Sequence, residues 1–340
     1  VIMTFADIIK KNCDLSSVKW WPKYAFHYTD ISNAISIIQQ ETLYSRLYAE
    51  EEHLMKNDNA SYQVIDMTAT NAQSFVRFYF RPLTPTQYYN EGYKHPDLRY
   101  DSDINANVPV PVFFAFNLEQ MLRDPKVKFS ETSQAGSGST MLSGEKSFEK
   151  LPFDKIYSDG YAEEDVLKFR HAELLYPTSY RIAESLEAIL CRNEFEQSML
   201  LSMLRKENAK LFYKYKPLIK VCKDKMFEKN GLFIQDIRLD NGKISFSFAN
   251  THQKRHYTDK MMQKNGIDSL DPVKTIFSLE WRNSKQILKK SSVEYALNYQ
   301  KANGIMFTLP FVDRATALSV EVSCSGDIIG YKEFVLTDIF

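Results

Sequence analysis

Tyr24-Ala-Phe-His-Tyr-Thr-Asp-Ile-Ser-Asn-Ala-Ile-Ser-Ile-Ile-Gln-Gln40 changes period in mid-stretch. Its first half is aromatic and β-branched and reads as a strand that delivers His27. From Ile31 the apolar residues Ile31, Ala34, Ile35 and Ile38 recur at helical spacing, with Asp30 placed as an N-cap. A strand running straight into a helix points to mixed architecture. Three more apolar runs read as strands: Phe75-Val-Arg-Phe-Tyr-Phe, ended by Arg81-Pro82; Val110-Pro-Val-Phe-Phe-Ala-Phe; and His171-Ala-Glu-Leu-Leu-Tyr, stopped by Pro177.

The texture changes near Ala183. Over 184–229, Leu186, Ile189, Leu190, Met199, Leu200, Met203 and Leu204 fall at helical intervals, so one or two helices are expected. From Gly231 onward short strands alternate with turn signals: Leu232–Leu239 and Lys243–Ala249 around Asn241-Gly242, then Thr275–Trp281, Ile305–Leu309, Leu318–Ser323 and Glu333–Leu336. The expected class is α+β, in three parts: 1–183, a helical connector over 184–230, and a β-rich domain over 231–340 forming an antiparallel β-sandwich.

The 340 residues carry 43 Lys+Arg against 43 Asp+Glu, so any attraction to nucleic acid must come from a local patch. The 44% hydrophobic and 25% charged content excludes wholesale disorder. Cys13, Cys191, Cys222 and Cys324 form no CxxC pair, which argues against zinc-ribbon and thioredoxin-like chemistry and suits a reducing compartment. No apolar run is long enough to span a membrane, no secretory signal is visible, and Val1-Ile2 ahead of Met3 read as a cloning remnant; the expected location is the cytoplasm. There is no Walker A, no GxGxxG after a strand and no HExxH. Gly136 and Gly138 begin a GxG, but Met141 replaces the third glycine, so Gln134–Thr140 reads as a small, polar, mobile loop. Asp101-Ser-Asp-Ile-Asn-Ala-Asn opens like a calcium loop, yet Ala106 and Val112 stand where Gly and Glu are needed. No metal is implied.

Three segments carry chemistry: Phe26-His27-Tyr28-Thr29-Asp30; Phe75-Val-Arg77-Phe-Tyr79-Phe-Arg81-Pro-Leu-Thr-Pro85; and Lys168-Phe-Arg-His-Ala-Glu173-Leu-Leu-Tyr-Pro177. Alone, each has a plain reading. A lone strand histidine is usually structural, a strand glutamate usually meets solvent or an ion pair, and a tyrosine between phenylalanines usually packs. Alternation along the second segment puts Tyr79, Arg77 and Arg81 on one face, which is less ordinary.

In order and spacing, His27/Thr29, Phe78-Tyr79-Phe80-Arg81-Pro82 and Ala172-Glu173-Leu174 resemble the DarT family, bacterial ADP-ribosyltransferase toxins that modify nucleic-acid bases. The resemblance covers residues 24–180; Leu83 departs from it where many relatives carry Arg, and 231–340 has no counterpart. It implies a split mixed β-sheet with a central NAD⁺ cleft, NAD⁺ as substrate, and a toxin of a toxin–antitoxin or anti-phage system with an antitoxin partner.

The residue chemistry fits that resemblance. Breaking the nicotinamide–ribose bond passes through an oxocarbenium-like transition state, which needs a negative group, a ribose holder and a flat platform. Glu173 and Arg77 are the catalytic candidates. His27 and Thr29 would hold the ribose, and Tyr79 would stack on nicotinamide. Arg46 and Arg77 both suit the pyrophosphate. The loop before the glutamate strand commonly contacts the acceptor in this class. Here it offers Tyr161 and Phe169 for stacking, with Lys168, Arg170 and His171 for phosphates, beside the acidic run Glu163-Glu164-Asp165.

A second basic stretch, 205–229, holds nine Lys+Arg against three acids with Phe212, Tyr213, Tyr215 and Phe227 interleaved; it reads as a phosphate-tracking surface or as a solvated face with aromatic anchors. His252-Gln-Lys-Arg-His reads as a solvated loop or strand end. The acceptor expected is a base in single-stranded DNA or RNA, with no membrane partner. A transferase acting on a protein side chain and a non-catalytic single-strand binder stay open.

Overall fold

The computed structural model describes residues 3–53, 70–102, 106–135 and 139–336. Val1-Ile2, Asp103–Asn105 of the calcium-like stretch and Gly136–Gly138 of the small polar loop lie outside the described residues. The chain divides into two compact units that interleave along the sequence. One takes Val1–Tyr89, Val112–Leu190 and Pro217–Phe227; the other takes Asn90–Pro111, Cys191–Lys216 and Glu228–Phe340.

The first unit is built on a seven-stranded sheet. Its nine strands are β1 (Tyr24–Asp30), β2 (Thr42–Tyr44), β3 (Phe75–Tyr79), β4 (Pro111–Asn117), β5 (Lys128–Ser130), β6 (Glu173–Pro177), β7 (Ser179–Arg181), β8 (Leu186–Cys191) and β9 (Ile219–Val221). The large sheet runs β5-β6-β3-β1-β4-β8-β9, and β2 pairs with β7 apart from it. Strand β4 is buried from Pro111 through Phe116, as an interior strand covered on both faces must be. Phe78 anchors the core, with its ring 5.3 Å from Phe116 and 5.5 Å from Tyr180.

The helix Ile31–Gln40 follows β1 directly. Asp30 caps it by accepting the Ser32 N–H at 3.0 Å, and Ile31, Ala34, Ile35 and Ile38 are its buried face. Residues Leu186–Cys191, whose spacing predicts helix, are strand β8 instead. Ile189, Leu190 and Cys191 are all buried in succession, and a short continuous apolar run has no periodicity to separate strand from helix. The helices begin only at Glu194–Glu207, capped by Asn193, and continue with Ala209–Tyr215. In the 205–229 stretch Phe212, Tyr215 and Phe227 are buried, and Tyr213 is exposed.

In the second unit, β10 (Ile234–Asp240) and β11 (Lys243–Phe248) form a hairpin. Asn241 and Gly242 turn it with φ of 46° and 69°, the paired positive angles of a two-residue type I′ turn. The remaining strands are β12 (Val273–Arg282), β13 (Ile287–Leu297), β14 (Gly304–Thr308), β15 (Ala317–Cys324) and β16 (Asp327–Val335). They complete two antiparallel sheets, β10-β11-β14 and β13-β12-β15-β16. Phe277 of the larger sheet lies 4.5 Å from Phe246 and 5.0 Å from Phe307 of the smaller, so the sheets face each other as a sandwich.

Two elements here escape the sequence reading. His252-Gln-Lys-Arg-His, expected as loop or strand end, opens a helix, His252–Asn265, capped by Thr251 and closed by Gly266 at φ 65°. Its apolar face is short, with Tyr257 and Met261 buried alongside Lys254, whose Nζ donates to the buried Tyr299 carbonyl. Strand β13 is largely exposed and carries Lys289 and Lys290, the polar dress of a sheet edge.

Candidate active site

Glu173 opens strand β6 and its side chain is fully buried. Antiparallel pairing places Tyr79 of β3 directly opposite it on one side and Ser130 of β5 on the other. Arg77, two residues before Tyr79 on the same face, reaches across. Its Nε donates to Glu173 Oε2 at 3.0 Å and its Nη2 donates to Oε1, a two-point pair with the Arg77 side chain one quarter exposed. Ser133, three residues beyond β5, lies 3.3 Å from Oε1 and 3.5 Å from Arg77 Nη2.

His27 reaches the same residue from β1. Strands β1 and β3 pair at Phe26↔Tyr79. Beside that pair the His27 Nδ1 lies 3.1 Å from the Arg77 carbonyl oxygen. A carbonyl only accepts, so Nδ1 carries the proton and Nε2 presents a lone pair. Burial pushes the imidazole down to about 4, so this ring is neutral at pH 7. Arg77 thus links the two candidates by its backbone to His27 and by its guanidinium to Glu173.

Tyr79 is half-buried and remains a neutral phenol. Burial raises it, the Arg77 charge opposes that rise, and Glu173 adds to it. Thr29 is buried on β1 two residues after His27. Arg46 starts the helix Arg46–Glu51, its Nε 2.7 Å from Glu50 Oε1. The Ser45 N–H donates to the Thr178 carbonyl at 2.7 Å, which ties that helix start to the far end of the Glu173 strand.

Alternation predicts Arg81 on the Tyr79 face, but the strand ends at Tyr79 and the chain turns away. Arg81 is buried over the Trp21 ring at 4.7 Å, donating to the carbonyls of Pro82, Ile156 and Ser158. Arg170 is also buried, donating to Ser158 Oγ at 3.1 Å and to the Gly160 carbonyl at 3.0 Å. These two arginines brace the 158–160 turn from both sides. Next to it stands Tyr161, 95% exposed. Lys168 lies 5.0 Å from the Phe169 ring centroid, and Lys155, which the sequence did not single out, lies 4.9 Å from it. Burial and then the Arg77 charge push His171 down to about 4, so it too is neutral at pH 7 and adds no charge to the loop.

The arrangement offers a buried carboxylate held at two points with Tyr79 opposite it on the neighbouring strand, and a neutral imidazole with an acceptor nitrogen, its ring 6.1 Å from Phe78. It suits stabilisation of positive charge developing on a sugar. Among the described residues no group of His, Cys, Asp and Glu could hold a metal ion, and no helix is long and apolar enough to cross a membrane.

Residues 26–223 match the sequence model of a family described as "ssDNA thymidine ADP-ribosyltransferase, DarT". The match runs past residue 180, through β8, both helices and β9. Among solved structures, the DarT of Thermus sp. 2.9 in complex with carba-NAD⁺ is similar at 14% identity and a TM-score of 0.46, covering 61% of this chain and 98% of that one. The same protein in complex with ADP-ribosylated ssDNA gives 14% and 0.46, covering 60% and 95%. Thermosipho africanus DarTG in complex with ADP-ribose gives 16% and 0.46, covering 61% and 51%. No curated protein sequence matches this chain.

Proposed function

The chain belongs to the DarT family of NAD⁺-dependent ADP-ribosyltransferases acting on single-stranded DNA, and on that premise we propose that Glu173, Arg77 and His27 form its transfer site and that a thymine base is its acceptor. The observation that carries this reading is the Arg77 bridge, a single residue bonded to the His27 ring through its carbonyl and to both Glu173 oxygens through its guanidinium.

In the proposed reaction the C1′–N bond of NAD⁺ breaks and nicotinamide leaves with the electron pair. The Glu173 carboxylate stabilises the positive charge on the ribose and accepts the ring N–H proton of thymine as that nitrogen bonds C1′. Arg77 orients the carboxylate. His27 Nε2 accepts a ribose hydroxyl, with Thr29 beside it, and Tyr79 stacks on nicotinamide. Arg46 takes the pyrophosphate, since the Arg77 guanidinium faces Glu173. Tyr161 and Phe169 stack bases flanking the target, and Lys168 meets the backbone. Arg170 and His171 contribute by shaping that loop. A single strand suits the site because its bases are already unstacked.

A bulky adduct on a base blocks pairing and copying, which supports a toxic activity restrained by an antitoxin protein and deployed in a toxin–antitoxin or anti-phage system. Labelled NAD⁺ incubated with separate pools of single-stranded DNA, duplex DNA, RNA and protein tests the acceptor. Mass spectrometry is expected to find ADP-ribosyl-thymidine. Label confined to RNA or to protein would overturn the DNA reading. Expression of the chain alone is expected to arrest growth, and that of Glu173→Gln is not.

A further inference from the structure

We propose that Ser133 is a positioning residue for Glu173, through which the loop after β5 sets the orientation of the carboxylate. The inference rests on the transfer site proposed above and adds a residue that no sequence motif marks.

The Ser133 hydroxyl has one proton and two lone pairs. The Ala135 N–H donates to Oγ at 3.1 Å, and Arg77 Nη2 donates at 3.5 Å. Both lone pairs are thereby taken. The remaining hydroxyl proton has Glu173 Oε1 at 3.3 Å as its acceptor. Oε1 therefore receives two donors, from Arg77 and Ser133, while Oε2 receives the Arg77 Nε. A carboxylate held by Arg77 alone can swing about the axis of that pair; a third donor from the loop after β5 removes that freedom.

The described residues on either side of Ser133 are themselves held. Phe129 and Leu142 exchange both backbone hydrogen bonds, at 2.9 and 2.7 Å, and close the base of the loop. Ser130 Oγ donates to the Thr132 carbonyl at 2.8 Å. Across the loop, Ser139 Oγ receives Thr132 Oγ1 at 3.2 Å and Gln134 Nε2 at 3.1 Å. Ser133 thus sits between two residues that are both tied to Ser139, on a segment that follows directly from the residue paired with Glu173.

Nicotinamide release from NAD⁺ and transfer to a thymidine-containing oligonucleotide, measured on the full chain, test this. Ser133→Ala is expected to lower kcat roughly 10- to 50-fold, with KM for NAD⁺ changed less than about twofold, because orientation is lost while binding surface is kept. Ser133→Thr, which keeps the hydroxyl, is expected to recover most of the loss. Should Ser133→Ala not fold, Ser133→Cys carries the comparison, since a thiol keeps the shape and is a weak donor. A kcat within about twofold of wild type overturns the proposal. So does a loss confined to KM, or Thr as impaired as Ala with unchanged melting. Nicotinamide release needs no acceptor, so a wild-type chain that releases nicotinamide without labelling the oligonucleotide overturns the acceptor reading and leaves the Ser133 comparison readable.

Discussion

Arg77 grips Glu173 at both oxygens, with Nε 3.0 Å from Oε2 and Nη2 on Oε1, while the Glu173 side chain is shut off from solvent. Removing one partner of such a pair strands a buried charge, at a cost of about 3–5 kcal/mol. Because Arg77 is a quarter exposed, Arg77→Ala is expected at the low end, about 3 kcal/mol. The double variant Arg77→Met/Glu173→Leu is expected to regain much of that stability in a urea melt while having no transfer activity. Equal stability of Arg77→Ala and wild type would show that the pair is not held in solution.

Glu173→Gln keeps shape and loses charge. Loss of one transition-state electrostatic partner costs about 10²–10³-fold in kcat, and that is the expected fall in transfer rate. Retention of most activity with labelled NAD⁺ and a single-stranded oligonucleotide would remove the carboxylate from the reaction.

The two neutral imidazoles make stability depend on pH. His27 and His171 titrate near 4 in the fold, against about 6.5 in an unfolded chain. The unfolded state therefore binds more protons between those values. Stability from these groups is fully present above about pH 6.5 and is lost as pH falls toward 4. Both rings are half-buried, so about 1–2 kcal/mol each is expected. Urea midpoints measured from pH 4 to 7 check this, and His27→Gln with His171→Gln is expected to flatten the slope.

The exposed loop should act on the acceptor alone. Tyr161→Ala is expected to weaken oligonucleotide binding by about 1–3 kcal/mol, the value of one stacked base, without changing nicotinamide release. Lys155→Ala and Lys168→Ala should each lower the slope of log affinity against log salt by about 0.7. Arg170→Ala should behave differently, loosening the 158–160 turn and lowering the melting temperature. Equal salt slopes for the lysine variants and wild type would move the nucleic acid elsewhere.

Close backbone contact gives a prediction for the second unit. A Cβ at Gly231 would stand 2.7 Å from the Glu91 carbonyl oxygen and 2.8 Å from the Gly92 Cα. Both obstacles are backbone, so Gly231→Ala is expected to cost more than about 2 kcal/mol in thermal or urea unfolding. A wild-type melt for this variant would contradict the close approach.

Local signals in the sequence carried far. The switch of period at Ile31, the Asp30 cap and the Asn241-Gly242 turn depend on neighbours in the chain, and each is where the pattern puts it. Glu173, Arg77 and His27 could be singled out because three short motifs come in order, and the fold bonds Arg77 to both of the others. What the sequence hid is non-local. Ser133 gains meaning only because Ser130 pairs with Glu173 across 43 positions, and Lys155 only because Phe169 folds against it. Arg81 misled because alternation presumes a strand that continues, and this one stops two residues early. Strand β13 hid behind its own surface charge, since an edge strand need bury little.

The interleaving of the two units has a consequence for synthesis. Tyr93 exchanges backbone hydrogen bonds with Leu232, and Arg99 pairs with Asp327 at 3.2 Å. The segment Asn90–Pro111 therefore leaves the ribosome long before its partners exist. Contacts so distant in sequence close slowly and late. A nascent chain interrupted anywhere before Asp327 lacks the acid that Arg99 needs, so the second unit cannot be completed until Asp327 has been made.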